Sequence, residues 1–283
     1  MLKLSIITIN YNNVDGLKRT VESVLNQTWQ EFEYIVIDGG STDGSATYIE
    51  SQSNNIEYWI SEPDKGIYNA MNNGIMLAKG EYLLFLNSGD HLFNSLVLEQ
   101  NHHYFTSFDL ISFNLKVVGE EFSQVFSYPE IVRFSDLYFG SLPHASTFIK
   151  KSLFSTVGMY DENLKIVSDW KFFILALFRD KCTYRRVNEL LSLFYLDGIS
   201  SRVDNSEERN QVLKEYFDCY ILDYEELVIT REIARKHQDI TKSNRFKLLV
   251  EMEKTVIGKK IVSALFKIYI ILFSKNKLRD ILK

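Results

Sequence analysis

The chain has 283 residues, room for one large domain or a domain with an appendage. Its 46% apolar and 24% charged content excludes wholesale disorder, and two cysteines, Cys182 and Cys219, exclude a disulfide framework or cysteine-rich metal cluster and fit a reducing compartment. The net charge of −5 divides unevenly: residues 254–283 hold eight Lys or Arg against Asp280, which leaves an acidic body that disfavours nucleic-acid binding and a basic tail expected to meet something anionic.

The first ninety residues alternate strand and helix patterns. MLKLSIITINYNN has no small-residue cleavage site of a signal peptide and reads as a first strand, KLSIITIN. Val14, Leu17, Val21, Val24 and Leu25 then recur at helical spacing behind Asn12 and Asn13, which suit a cap. FEYIVIDGG is a second apolar strand, STDGSATYIESQ opens a helix, and IEYWISE is a third strand. Ile67, Met71, Ile75 and Ala78 mark another helix, and EYLLFLN a fourth strand. Such alternation predicts βαβ units and a parallel, right-handed sheet. From about residue 108 the strand-like stretches DLISFNLKVVG, FSQVFSY and LLSLFYL predict a mixed second half, with a helix near 168–179. Beyond about 205 charged helical sequence runs to the end, with no internal repeat and no low-complexity linker.

Ligands of open parallel sheets bind outside the carboxyl ends of the strands. The four expected strands end in Thr8-Ile9-Asn10-Tyr11, Asp38-Gly39-Gly40-Ser41, Ser61-Glu62-Pro63-Asp64 and Asn87-Ser88-Gly89-Asp90, so three of them bring an aspartate to one edge. The stretch LLFLNSGD alone reads equally as an Asx turn closing a strand. No G-x-G-x-x-G follows the first strand and no G-x-x-x-x-G-K-[ST] occurs, which argues against dinucleotide and P-loop sites. A strand-end carboxylate can accept a nucleobase N–H, which suits Asp38, or hold a divalent cation bridging phosphates, which suits Asp90.

Three ordered segments, SIITINYNNVDGLKRTVESVLNQTWQEFEYIVIDGGSTDGS, EPDKGIYNAMNNGIMLAKGEYLLFLNSGD and VSDW, resemble the family-2 inverting glycosyltransferases of the GT-A fold. The likeness is nearest to bacterial enzymes of surface-polysaccharide synthesis and covers roughly residues 1–200. It implies an α/β, Rossmann-like, mostly parallel sheet with a mixed second half and a C-terminal helical extension. It divides the chain into a GT-A domain at 1–204 and an extension at 205–283. It also implies a nucleotide-sugar donor, with a UDP-sugar favoured, a divalent cation (Mn2+ or Mg2+), and displacement with inversion onto a saccharide acceptor, lipid-linked by expectation.

Position by position, the resemblance assigns Thr8, Asn10 and Tyr11 to the nucleoside and Asp38 to the base. Asp64 in PDKG falls beside the ribose and diphosphate, with Lys65 adding charge, and Ser88 is taken as a substrate contact. The usual Asp-x-Asp metal motif is reduced here to Asp90, with Asn87 where an acid often stands. Asp169 matches the catalytic base, although a Ser-Asp pair at a helix start also suits an N-cap. His144 in LPHAST is a candidate contact to phosphate, metal or acceptor, or a structural hydrogen-bonder. Trp170 is a candidate stacking platform for an acceptor sugar, against core packing. DGIS, Asp197 to Ser200, resembles a loop closing over the site.

Within the tail, Ile261, Val262, Leu265, Phe266 and Ile268 to Phe273 make an apolar run too short to span a bilayer, flanked by Lys259, Lys260, Lys275, Lys277 and Arg279. That pattern suits a helix on an anionic membrane surface, or equally a core helix or subunit contact. The expected location is therefore cytoplasmic, peripheral to the inner face of the plasma membrane. Two rival functions remain: a sugar-phosphate nucleotidyltransferase, whose Gly- and basic-rich first loop is replaced here by Asn12-Asn13-Val14-Asp15, and an inactive binding relative.

Overall fold

The computed structural model describes residues 2–105, 107–119, 121–196 and 204–273. The first half contains β1 (Leu4–Asn10), α1 (Val14–Leu25), β2 (Phe32–Asp38), α2 (Ser45–Ser51), β3 (Tyr58–Ser61), α3 (Ile67–Leu77) and β4 (Tyr82–Phe85). After it come β5 (His91–Leu92), α4 (Val97–Asn101), β6 (Leu110–Val118), β7 (Ser123–Phe126), α5 (Phe134–Phe139), β8 (Thr147–Lys150), α6 (Leu153–Thr156), α7 (Ser168–Phe178) and β9 (Tyr184–Tyr195). The C-terminal helices are α8 (Ser206–Lys242), α9 (Asn244–Glu253) and α10 (Val256–Phe273).

Among the described residues the strands form one sheet in the order β3-β2-β1-β4-β8-β6-β9-β5, with β7 on β6. β1 pairs in parallel with β2 and β4, and β2 with β3. β8 then runs antiparallel to both β4 and β6, while β9 runs parallel to β6 and antiparallel to β5. The mostly parallel first half and mixed second half are those expected from the sequence. β1, β2 and β4 are buried at every residue, as strands covered on both faces must be. One face, with Leu4, Ile6, Val36 and Leu84, packs against Leu17, Val21 and Val24 of α1. α3, with Met71 and Ile75 buried, lies against β1 and β2.

The structure corrects three strand expectations. β4 ends at Phe85, short of Asn87, although Leu86 N and Ser88 N still donate to Ile7 O and Ile9 O of β1 before the turn meets α1. LLSLFYL is only the second half of the twelve-residue β9. β5 and β8 are strands that the sequence does not announce. At two and four residues they are too short for an alternation, and their neighbours in the sheet decide them.

The chain divides into two compact units, Met1–Val212 and Leu213–Lys283. The boundary falls inside α8, whose helical geometry breaks at Phe217 (φ −135°, ψ 16°). In the second unit, Ser243 caps α9 by accepting from Phe246 N at 3.1 Å. α10 buries Val262 and exposes Ile261, Leu265, Phe266, Ile268 and Tyr269. No helix among the described residues is long and apolar enough to cross a membrane. The expected loop at Asp197 to Ser200 and the tail residues Lys275, Lys277 and Arg279 lie outside the described residues.

Candidate active site

Parallel register builds the site. It sets Asn10 opposite Asp38 and Asp38 opposite Ser61, so three polar side chains meet at the carboxyl ends of β1, β2 and β3. Asp38 Oδ1 accepts from Asn10 Nδ2 (2.6 Å) and Ser41 Oγ (2.6 Å), and Oδ2 from Ser41 N (2.9 Å) and Ser61 Oγ (2.5 Å). Burial pushes this carboxyl up, but the bonds from Ser41, Ser61 and Asn10 outweigh it and hold Asp38 below the usual carboxylate range. A base N–H reaching Asp38 has to displace one of the two serine hydroxyls, each of which rotates about a single bond. Asn10 gives its amide N–H to Asp38, and its Oδ1 is buried without a hydrogen-bond partner.

Tyr11, Gly39 and Asp64 frame the next space. A Cβ on Gly39 would stand 2.8 Å from Asp64 Oδ2 and 3.2 Å from Tyr11 Cδ2, so any larger residue there fills the gap between ring and carboxylate. Tyr11 is 67% exposed. Asp64 is fixed by Gly66 N at 2.8 Å, and the Lys65 side chain beside it is exposed. The loop from Asn12 to Asn13 ties these parts together. Asn12 Oδ1 accepts from Thr42 N (2.9 Å), while Asn13 Nδ2 donates to Ser88 O (3.0 Å) and its Oδ1 caps α1 through Gly16 N (3.1 Å).

Ser88 and Asp90 sit in a turn held from α1. Thr20 Oγ1 donates to Asp90 O (2.6 Å) and accepts from Gly89 N (3.0 Å), and Gly89 takes φ 113°, a conformation that glycine enters without a Cβ clash. Asp90 is buried. Beside it the Asn87 Oδ1 is buried and unpartnered, while Asn87 Nδ2 lies 3.3 Å from His144 Nε2. A carboxylate can only accept, so His144 Nδ1 donates to Asp169 Oδ2 at 3.0 Å. The Tyr68 hydroxyl, on α3, lies 2.5 Å from Ile166 O and 3.2 Å from Asp169 Oδ1, so its one proton is shared between the two acceptors. A continuous chain of side chains thus runs from the Asn87–Asp90 turn to Asp169 at the start of α7. Burial opposes the imidazolium of His144, yet the bond and charge of Asp169, with Asp90 adding, keep its pKa above the ordinary value. Burial and the nearby Asp169 push the Tyr68 hydroxyl far above its ordinary range, so it stays a proton donor to the carboxylate.

Three of the candidate contacts are engaged inside the protein. Thr8 is fully buried two residues before the edge, and its hydroxyl pairs with that of Tyr34 at 2.9 Å. Trp170 is 1% exposed and donates Nε1 to Leu137 O at 2.6 Å, so it packs the core and offers no face to a sugar. His144 spends both ring nitrogens on Asn87 and Asp169 and joins those two residues. The supports that sequence reasoning missed are Thr20, Tyr68 and Asn87. Only Thr20 has a local cue, its place on the buried face of α1.

Among the described residues no three His, Cys, Asp or Glu side chains cluster to hold a metal ion. The turn does offer two hard oxygens, the Asp90 carboxylate and the unpartnered Asn87 amide oxygen. That donor set fits Mg2+ or Mn2+, which takes one or two protein oxygens when phosphate supplies others.

The edge therefore combines a glycine-floored gap between Tyr11 and Asp64, a hard-oxygen turn and a hydrogen-bonded carboxylate, and known proteins resemble the chain in sequence and fold. Residues 5–119 match the family described as Glycosyl transferase family 2. An uncharacterized glycosyltransferase of Mycobacterium tuberculosis is 35% identical over 182 residues, covering 61% of this chain and 68% of the relative. The chain belongs to glycosyl transferase family 2. S. aureus TarS 1-349 in complex with UDP-GlcNAc superposes with a TM-score of 0.62 at 19% identity, covering 75% of this chain and 64% of that one. The mannosyltransferase PcManGT from Pyrobaculum calidifontis, in complex with GDP-Man and Mn2+, gives 0.53 at 10% identity over 97% of this chain and 88% of that one. The fold is of the GT-A type, and the protein is a glycosyltransferase.

Asp38→Asn leaves one acceptor oxygen and adds an N–H facing donors. It should cost about 1–3 kcal/mol in urea unfolding at neutral pH. Because the folded pKa of Asp38 is depressed, its contribution is present above the unfolded value near 3.9 and is lost as pH falls through the folded one. The deficit of the variant should therefore shrink below about pH 4. A deficit that does not change with pH would remove the carboxylate from this account.

Proposed function

We propose that the protein transfers a sugar, of the hexosyl type, from a nucleotide diphosphate sugar to a saccharide acceptor with inversion. The observation that carries the reading is the Asn87–His144–Asp169 chain, which joins a turn suited to phosphate and cation to a carboxylate suited to an acceptor hydroxyl. In this reading Tyr11, Gly39 and Asp64 border the nucleoside, Asn10 Oδ1 and Asp38 receive donor hydrogens from it, and Ser88 and Lys65 lie toward the diphosphate. UDP-sugars are the favoured donors, in keeping with the UDP-GlcNAc held by TarS, and GDP-sugars are the alternative that the mannosyltransferase exemplifies.

An acceptor hydroxyl oxygen bonds to the anomeric carbon from the face opposite the nucleotide. The anomeric C–O bond breaks with its electron pair remaining on the nucleoside diphosphate, and the hydroxyl proton passes to Asp169 Oδ. Tyr68 and His144 hold that carboxylate by one oxygen each, which fixes its direction and leaves further lone pairs for the incoming proton. Asp90, with the Asn87 amide oxygen, would hold Mn2+ or Mg2+, which when bound supplies positive charge against the departing diphosphate.

The cellular part of the proposal is surface-polysaccharide synthesis on a lipid-linked acceptor. A GT-A domain at residues 1–204 would carry the chemistry, and the helical extension at 205–283 would rest on the inner face of the membrane. Its support is α10, which exposes Ile261, Leu265, Phe266, Ile268 and Tyr269 and carries Lys259, Lys260 and Lys267.

Incubation with UDP-, GDP- and dTDP-sugars should raise the melting temperature with one base preferred, and a protein that no nucleotide sugar stabilises or reacts with would overturn the reading. Asp90→Asn should abolish the further stabilisation that Mn2+ gives in the presence of nucleoside diphosphate, and EDTA should stop turnover in the wild type. Full activity in chelator would refute the cation site. Asp169→Asn should lower kcat about 10²–10⁴-fold while leaving donor affinity unchanged. Truncation after residue 253 should release the protein from anionic liposomes and leave nucleotide binding intact, and full-length protein that ignores such liposomes at low salt contradicts the membrane role.

A further inference from the structure

Asp169 stands at a helix start that lacks a side-chain cap of its own. The amides leading into that helix are taken by a carboxylate from far along the chain. Glu208, half-buried in the first turn of α8, accepts from Lys165 N at 2.7 Å through Oε1, and from Ile166 N at 3.0 Å and Val167 N at 3.3 Å through Oε2. Three successive N–H groups at the entry to a helix make a site for an anion. Glu208 thereby holds the backbone just before the helix start, and Asp169, two residues beyond the last of those amides, reaches Tyr68 and His144.

The neighbouring residue acts on the other side of the base. The Arg209 guanidinium carbon lies 4.7 Å from the Trp170 ring centroid, and Nη1 donates to Tyr138 O at 3.4 Å. The indole, itself anchored on Leu137 O, is thereby clamped next to Asp169 in the chain. Arg209 also lies within reach of the Asp169 charge.

We propose that Glu208 and Arg209 are positioning residues for the catalytic base. Glu208 fixes the backbone segment that sets the start of α7, and so the Asp169 carboxylate, while Arg209 locks the adjacent indole. The inference rests on the glycosyl-transfer reading of Asp169.

The test is a double-mutant cycle on the full chain. Its probe is nucleoside diphosphate release from whichever of UDP-glucose, UDP-GlcNAc and GDP-mannose, with Mn2+, turns over fastest in the wild type. Glu208→Gln should lower kcat about 10-fold or more, less than full loss of a general base, while the donor KM and the thermal shift with nucleoside diphosphate stay within about twofold. In the Asp169→Asn background the same change should have no further effect on kcat, because the residue acts through Asp169. Arg209→Lys, which keeps the charge and loses the planar stack, should show the same pattern more weakly, and it serves if Glu208→Gln fails to fold. Wild-type kcat in both folded variants, alongside a slow Asp169→Asn, would overturn the positioning role alone. So would a loss undiminished in the Asp169→Asn background, or one in which donor KM rises with falling kcat. A wild type that consumes no nucleotide sugar overturns the glycosyl-transfer reading and this role with it.

Discussion

Strand register is the constraint on which the rest of the molecule depends. Because β1, β2 and β3 are parallel and end together, Asn10, Asp38 and Ser61 arrive side by side, and their side chains then bond to one another. A slip of one residue in β2 would turn Asp38 to the opposite face and carry Val36 and Ile37 with it. The buried apolar residues that fix the register therefore also fix the polar edge, so the stability of the sheet and the geometry of the site are one property.

The second half of the sheet does different work. β8 runs antiparallel between β4 and β6, and the connection before β8 delivers His144 to the Asn87 turn. α7 brings Asp169 to the other side of the same imidazole. The parallel half thus supplies groups that suit a nucleotide, while the mixed half supplies the carboxylate and the histidine that aims it.

What could be read in advance follows from how far each contact reaches along the chain. The apolar runs LSIITIN and FEYIVID and the helical spacing of Val14 to Leu25 declare β1, β2 and α1, because those patterns are local. The aspartates at the strand tips followed from topology alone. Asp169 reads two ways, since a Ser-Asp pair at a helix start suits both a cap and a base, and its partners Tyr68 and His144 come from distant segments. Glu208 has no local signature: it bonds to backbone, so Lys165, Ile166 and Val167 offer no side-chain pattern to match. A motif position says nothing of depth: Thr8 is buried short of the edge, and Trp170 takes the core-packing alternative that the sequence also allowed. β8 was missed because four residues between turns carry no period.

The contact between Glu208 and the amides before α7, with partners 41 to 43 residues apart, also sets an order of events during synthesis. Asn10, Asp38, Asp64 and Asp90 all lie in the first ninety residues of a chain made from its N-terminus, and Asp169 follows much later. The groups that bring that carboxylate to bear come later still, at the foot of α8. A nascent chain therefore completes the polar edge of the parallel strands well before the start of α7 meets Glu208. On the proposed reading, Asp169 is the last of the site's groups to be set in place.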